Sequence, residues 1–226
     1  MSNANLYAVL QGGFPKDRSK VALETPDLQY TWDDIDRATA CLANLLTSLR
    51  LPAGSRVAVQ IEKSPEALLL YLATLRAGLV YLPLNTAYRE SEIEYFLGNA
   101  EPAVVVCASK NLDWVQRAAD KAGTAHVYTL DEDRSGTLLD AAGGLSQTFK
   151  TVARKPDDLA AILYTSGTTG RSRARCCRMA TSPPTPACCT TTGAGARTTC
   201  CCTCCRSSTC MACSWPRTAP CWLGPG

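Results

Sequence analysis

Short apolar strands alternating with amphipathic helices between Tyr30 and Tyr164 predict an α/β fold with a mostly parallel sheet. Two further observations shape that prediction. Glycine or proline stands at most of the junctions, so each strand is followed by a helix of crossover length. Beyond Ser172 the composition changes abruptly. The α/β segment is therefore expected to span residues 1–172, with Arg173–Gly226 forming a disordered, non-native C-terminal tail.

The first helix lies in Tyr30–Leu49, where Thr31 followed by Asp34 forms a capping-box pattern with Asp in place of Glu. Ile35, Ala38, Leu42, Leu45, Leu46 and Leu49 recur at helical spacing and give one buried face. Pro52 and Gly54 close it, and Arg56–Ile61 alternates as a strand. Ser64-Pro65-Glu66 starts the next helix, with a hydroxyl cap, a first-turn proline and an acid near the positive end of the dipole. That helix runs through Leu75 and stops at Gly78. Val80–Leu84 is then a strand, Glu90–Leu97 a helix and Val104–Cys107 a buried strand. Leu112–Lys121 is a helix ended by Gly123, and His126–Leu130 another strand. Asp131–Gly144, rich in acids and glycines, reads as an exposed loop, and Leu159–Tyr164 is the last strand.

Charge divides the chain in the same place. Residues 1–172 carry 17 Lys and Arg against 20 Asp and Glu, whereas the tail carries six Arg and no acid and so supplies the whole swing to +3. A basic balance made this way does not indicate nucleic-acid binding, and the front shows no basic stripe interleaved with aromatics. Cys41 and Cys107 sit in apolar helix and strand patterns and read as small core residues. They imply no disulfide framework, which fits a reducing cytoplasm. Met1–Lys20 lacks the signal-peptide pattern, and the apolar run Leu68–Leu84, broken by Arg76, Gly78 and Pro83, is too short to span a bilayer. His126, the only histidine, lies in an apolar strand pattern and reads as structural.

One motif carries chemistry. The apolar strand Leu159–Tyr164 leads directly into Thr165, Ser166, Gly167, Thr168, Thr169 and Gly170. A glycine-rich turn lets backbone N–H groups converge on an anion, and four hydroxyls add donors suited to phosphate oxygens. At the end of a strand in a parallel sheet it occupies the usual ligand edge. The Walker A spacing is missing. Taken alone, a Ser/Thr/Gly turn is more often a plain polar loop.

The longer string Tyr164-Thr-Ser-Gly-Thr-Thr-Gly-Arg-Ser172 resembles the nucleotide loop of the adenylate-forming superfamily, which includes acyl-CoA synthetases, luciferases and peptide-synthetase adenylation domains. Glu62-Lys63-Ser64 through Tyr71-Leu-Ala-Thr-Leu-Arg-Ala-Gly78 looks like that family's helix after the first core strands. Val80-Tyr-Leu-Pro-Leu-Asn-Thr-Ala-Tyr88, with Ala100-Glu-Pro102 and Val104–Cys107, is similar to malonyl-CoA synthetases in particular. The resemblance implies that residues 1–172 are the N-terminal portion of an AMP-binding large domain. It further implies an ATP-dependent ligase that joins a small carboxylate to coenzyme A through an acyl-adenylate. The six loop residues would hold the β- and γ-phosphates, with Mg²⁺ sharing their charge. The partners it implies are carboxylate, ATP and CoA, with neither nucleic acid nor membrane. No catalytic residue and no protein metal ligand is assigned in this chain.

The resemblance stops inside the motif: Arg173 and Ala174 stand where the family has Lys and Gly. The tail holds 12 of the 14 cysteines, a single Leu at 223, and no Ile, Val, Phe or Tyr. Loss of one base near codon 173 accounts for this. Each original codon then joins the third base of one residue to the first two of the next. Every Cys-Cys step must decode as Leu, Met179-Ala180 and Met211-Ala212 as Gly, and Trp215-Pro216 as Ala. With free third bases, Arg173–Pro186 permits K-G-A-M-L-S-H-G-N-L-A-S-N-A, which restores the Lys-Gly, and Thr203–Pro216 permits a run ending H-V-H-G-L-F-V-A. The chain as written is expected to be inactive. The alternatives are a synthetase for another short acid, or a non-catalytic fragment whose cysteine-rich tail binds a soft metal.

Overall fold

The computed structural model describes residues 3–165 and 173–179. Six helices and eight strands are described there: α1 (Leu6–Gly12), β1 (Val21–Glu24), β2 (Gln29–Thr31), α2 (Trp32–Ser48), β3 (Arg56–Gln60), α3 (Pro65–Arg76), β4 (Val80–Pro83), α4 (Glu90–Ala100), β5 (Val104–Cys107), α5 (Leu112–Lys121), β6 (His126–Thr129), α6 (Thr137–Ala142), β7 (Leu159–Thr165) and β8 (Arg173–Arg178). β1 and β2 form an antiparallel pair, and the main sheet has the order β6-β5-β3-β4-β7-β8. β6, β5, β3, β4 and β7 run parallel, and β8 turns back antiparallel to β7. The α/β fold with a mostly parallel sheet is as expected.

The local signals act as read. In α2 the Asp34 amide donates to Thr31 Oγ1 at 3.1 Å and the Thr31 amide donates to Asp34 Oδ2 at 2.9 Å, a complete capping box. In α3 the Ala67 amide donates to Ser64 Oγ at 3.1 Å, and Pro65 occupies the first turn, where its missing N–H costs nothing. Gly78 closes α3 at φ +72, and a Cβ there would lie 2.9 Å from Val152.

Three expectations are corrected. The segment 131–144 is not wholly an exposed loop: it contains α6, whose Leu138 is fully buried. Thr137 and Thr129 exchange amide-to-hydroxyl hydrogen bonds at 3.0 Å, which docks the new helix on the end of β6. α4 runs on to Ala100, three residues beyond Leu97, and ends at Glu101 in the left-handed region. The ordered chain also passes the expected boundary at 172. β8 pairs with β7 through Arg178, Met179 is buried against Tyr7, Leu75 and Ala160, and the compact unit ends at Met179. Backbone pairing needs no particular side chains, so β7 can pair with β8 whatever the composition of that strand.

Helices α4 and α5 cover one face of the sheet. Ile93, Phe96, Leu97, Val115, Ala118 and Ala119 pack on Ala58, Leu82, Val105, Cys107, Ile162 and Tyr164. Because side chains alternate along a strand, Val57 and Val59, both fully buried, face the opposite layer. On the surface, Arg117–Glu90 and Lys121–Glu94 ion pairs link α4 to α5. Cys107 is buried as expected, whereas Cys41 is only half-buried.

The Arg76 side chain, 4% exposed, joins three segments. Its Nη1 donates to Asp36 O at 2.7 Å and Thr39 Oγ1 at 2.9 Å and lies 3.0 Å from Asp36 Oδ1, while Nη2 donates to Phe149 O at 2.9 Å. The guanidinium also sits over the Tyr7 ring at 4.8 Å. Beside it, Asn5 Nδ2 donates to Leu75 O at 2.7 Å and Val152 O at 2.8 Å, tying in the N-terminus and the strap before β7.

Removing a buried charge leaves its acceptors without partners, at about 3–5 kcal/mol for a fully enclosed pair. Asp36 is partly exposed, so Arg76→Ala should fall near the lower end in urea unfolding, while Arg37→Ala, on an exposed ion pair, should leave the midpoint unmoved. An unmoved midpoint in Arg76→Ala would show that the three segments hold without it.

Burial pushes the Tyr7 hydroxyl up to about 12, and the Cys107 thiol likewise to about 12. Both groups hold their protons more tightly folded than unfolded. Their contribution is therefore fully present below the ordinary thiol and phenol values, roughly 8.5 and 10, and is lost as pH rises toward about 12. Urea midpoints measured from pH 8 to 11 should fall steadily; a flat profile would exclude this linkage.

Candidate nucleotide-binding site

β7 begins at Leu159 and carries Ala160, Ile162 and Tyr164 into the core, so its apolar run reaches the last residue before the hydroxyl-rich turn. Thr165 ends the strand and pairs with Arg173 at the start of β8, and Tyr164 pairs with Ala174. The expected phosphate loop is thus the connection of an antiparallel hairpin, with its two ends held side by side. Of the six residues expected to bind phosphate, Thr165 is placed at the end of β7. Ser166, Gly167, Thr168, Thr169 and Gly170 lie outside the described residues.

The approach to the loop is built from aromatics. The Tyr164 ring lies 4.5 Å from Phe96 at 41°, and Phe96 in turn lies 4.9 Å from Tyr88 and 5.5 Å from Tyr95. The Tyr164 hydroxyl donates to Asn99 Oδ1 at 2.7 Å. Burial raises the Tyr164 hydroxyl above its ordinary value, Tyr95 adds to the shift, and the Arg56 guanidinium opposes it, so the side chain stays a neutral donor across the physiological range. Phe96 and Asn99 carry no local sequence signal for this role, because their partner lies 65 residues away from Asn99 in the chain.

A second concavity, of about 300 Å³, lies beyond the ends of β3, β5 and β6, lined by Glu62, Ala108, Lys110, Leu130, Asp131, Glu132 and Asp133. Two of its acids have local work. Asp131 accepts from the Ser109 amide at 2.8 Å, and Asp133 accepts from the Ser135 amide at 3.0 Å and hydroxyl at 2.5 Å. Among the described residues no group of three His, Cys, Asp or Glu is placed to hold a metal ion. His126 sits half-buried on the edge strand β6. No described helix is long and apolar enough to cross a membrane.

Comparison with known proteins agrees with this geometry. The AMP-binding enzyme family matches residues 13–174. The ATP-bound crystal structure of MatB from Rhodopseudomonas palustris is 48% identical and superposes with a TM-score of 0.75, covering 79% of this chain and 35% of its own. Tyrocidine synthase 1 of Brevibacillus parabrevis is 33% identical over 162 residues, 71% of this chain and 14% of that protein. Oxalate–CoA ligase of Arabidopsis thaliana is 31% identical over 144 residues, 62% of this chain and 27% of that protein. The chain spans about a third of MatB and less of these relatives. With its parallel sheet, its strand-to-turn motif and a family match over most of its length, the chain belongs to the AMP-binding enzyme family, whose members include acyl-CoA synthetases.

Proposed function

We propose that residues 1–172 are the N-terminal portion of an ATP-dependent acyl-CoA ligase acting on malonate. It converts malonate, ATP and coenzyme A to malonyl-CoA, AMP and pyrophosphate. The observation that carries this reading is the run Tyr164–Gly170 at the end of β7, within a chain 48% identical to ATP-bound MatB. That identity exceeds the 31–33% shared with oxalate–CoA ligase and tyrocidine synthase 1, which supports a substrate in common with MatB. The stretches Val80–Tyr88 and Val104–Cys107, similar to malonyl-CoA synthetases, support malonate as that substrate. The reaction belongs in the cytoplasm.

The chemistry has two displacements. A carboxylate oxygen of the acid attacks the α-phosphorus of ATP and pyrophosphate leaves; the thiol sulfur of coenzyme A then attacks the acyl carbon and AMP leaves. The protein's part in the first step is to place the phosphates and stabilise the charge gathering on the leaving group. In this reading the hydroxyls of Thr165, Ser166, Thr168 and Thr169, with the Gly167 and Gly170 amides, donate to the β- and γ-phosphate oxygens. That donor set fits a polyphosphate, and the hairpin fixes both ends of the loop. Mg²⁺ bound to the nucleotide's phosphates would neutralise part of their charge.

The domain reading follows. In this reading residues 173–226 are the product of a shifted frame, supported by the family match ending at residue 174 and by forced Leu, Gly and Ala codons compatible with the continuation the resemblance implies. As written, the chain loses the Lys-Gly that continues the loop.

Purified 226-residue chain should release no malonate-dependent AMP above a no-enzyme blank, and turnover above that blank would refute the reading of the tail. Restoring one base at the Arg173 codon in a full-length gene should give a ligase that prefers malonate over acetate, oxalate and methylmalonate. In that enzyme, Thr168→Ala with Thr169→Ala removes contacts each worth roughly 1.5–3 kcal/mol, about tenfold or more in ATP use. Adenylation should fall far more than thioester formation from a supplied acyl-adenylate. Genomic DNA without a shifted frame continuing to a full ligase would overturn the proposal, as would preference for another acid.

A further inference from the structure

We propose that residues 131–136 form a strap that closes the crevice beyond the ends of β3, β5 and β6, and that the ion pair between Arg134 and Glu66 is its latch. The crevice follows from the topology. β3 and β5 are neighbours in the sheet, yet the chain leaves β3 through α3 toward β4 on one side and leaves β5 through α5 toward β6 on the other. α5 packs on the sheet face that carries Ile162 and Tyr164, and α3 on the face that carries Ala160. The two connections therefore part and leave a gap at the strand ends. Residues 131–136 cross that gap. Asp131 Oδ1 accepts at 2.8 Å from the amide of Ser109, just before α5, and Arg134 Nε donates at 2.9 Å to Oε1 of Glu66, in the first turn of α3. Asp131, Glu132 and Asp133 line the crevice itself.

Two opposed effects act on this segment. The Glu66 side chain is 5% exposed, whereas that of Arg134 is 47% exposed. Glu66 Oε1 accepts from the Tyr30 hydroxyl at 2.5 Å as well as from Arg134, and Oε2 finds no hydrogen-bond partner among the described residues. The cation paired with this enclosed carboxylate thus comes from the strap, and lifting the strap leaves the charge to a neutral phenol. Against this, Arg134 has φ +69, a left-handed conformation that a residue with a Cβ adopts at a cost. Opening relieves the backbone; closing satisfies the charge. The ends are fixed in either state. The Leu130 amide donates to Cys107 O at 2.9 Å, and Thr137 is held by Thr129. Gly136, at φ +130, brings the segment back against β6, where a Cβ would lie 2.4 Å from Thr129 O.

Amide hydrogen exchange on the ¹⁵N-labelled 226-residue chain tests this, with β3 and β5 as internal reference. The reporters are Asp131, whose amide donates to Ser135 O at 2.9 Å, and Ser109, whose amide donates to Asp131. Arg134→Ala should raise exchange at both by about tenfold or more, the range of one charge-assisted hydrogen bond, with the reference strands unchanged. Arg134→Gly, which loses the latch but suits the left-handed backbone, should raise it less. Arg134→Lys keeps a cation on the strap and should stay within about threefold of the parent. Glu66→Gln removes the enclosed charge and should itself raise exchange, and Arg134→Ala added to it should contribute little more, because both remove one ion pair. Four results would each overturn the proposal: unchanged exchange in Arg134→Ala, a larger rise in Arg134→Gly than in Arg134→Ala, additive effects in the double variant, or an equal rise in the reference strands of Arg134→Ala.

Discussion

The buried guanidinium of Arg76 is the constraint around which this chain is organised. A cation so enclosed persists only where acceptors surround it, and here they come from three places: α2 through Asp36 and Thr39, the strap through Phe149, and the N-terminal segment through the Tyr7 ring. None of these could move far without stranding a charge. The arrangement also explains why the first residues are ordered although they add nothing to the main sheet. Tyr7 and Asn5 complete the enclosure, and Met179 closes the same cluster from the far end of the described chain.

On the other face the logic is apolar. α4 and α5 lie over β3, β4 and β5 with few polar groups between, and the long aromatic side chains are gathered where β7 leaves the layer. Burial alone would let such rings slide; a phenol with a fixed acceptor cannot. The sheet thus carries Tyr164 to the end of β7, and the helix beside it supplies the acceptor for its hydroxyl.

Much of this was readable from residues alone, where the signal is local. The capping box of α2, the Ser-Pro-Glu start of α3 and its glycine stop mark boundaries through contacts spanning a few residues, and each boundary falls close to its expected place. Signals failed where the deciding contact is distant. Gly98 and Asn99 look like a helix end, yet α4 continues because Ala100 is buried and its carbonyl is held by Arg56. α6 was hidden among acids and glycines, and only the pocket that takes Leu138 and the exchange with Thr129 make it a helix. α1 and the β1–β2 pair have short, weak patterns, and their partners lie in α2 and at Arg76. The candidate site divides the same way: the Gly and hydroxyl pattern of Thr165–Gly170 reads as a phosphate loop from the sequence, whereas the contact of Tyr164 with Asn99 has no local signal.

The pairing of β7 with β8 has a consequence for how much a strand's composition can be read from its place in the sheet. Hydrogen bonds along a strand pair are made by main-chain groups, which are the same in every reading frame. A strand joining this edge at residue 173 meets main-chain groups able to accept it whatever its side chains, and Met179 finds an apolar seat beyond it. Regular structure at such an edge therefore says little about which side chains the strand must carry.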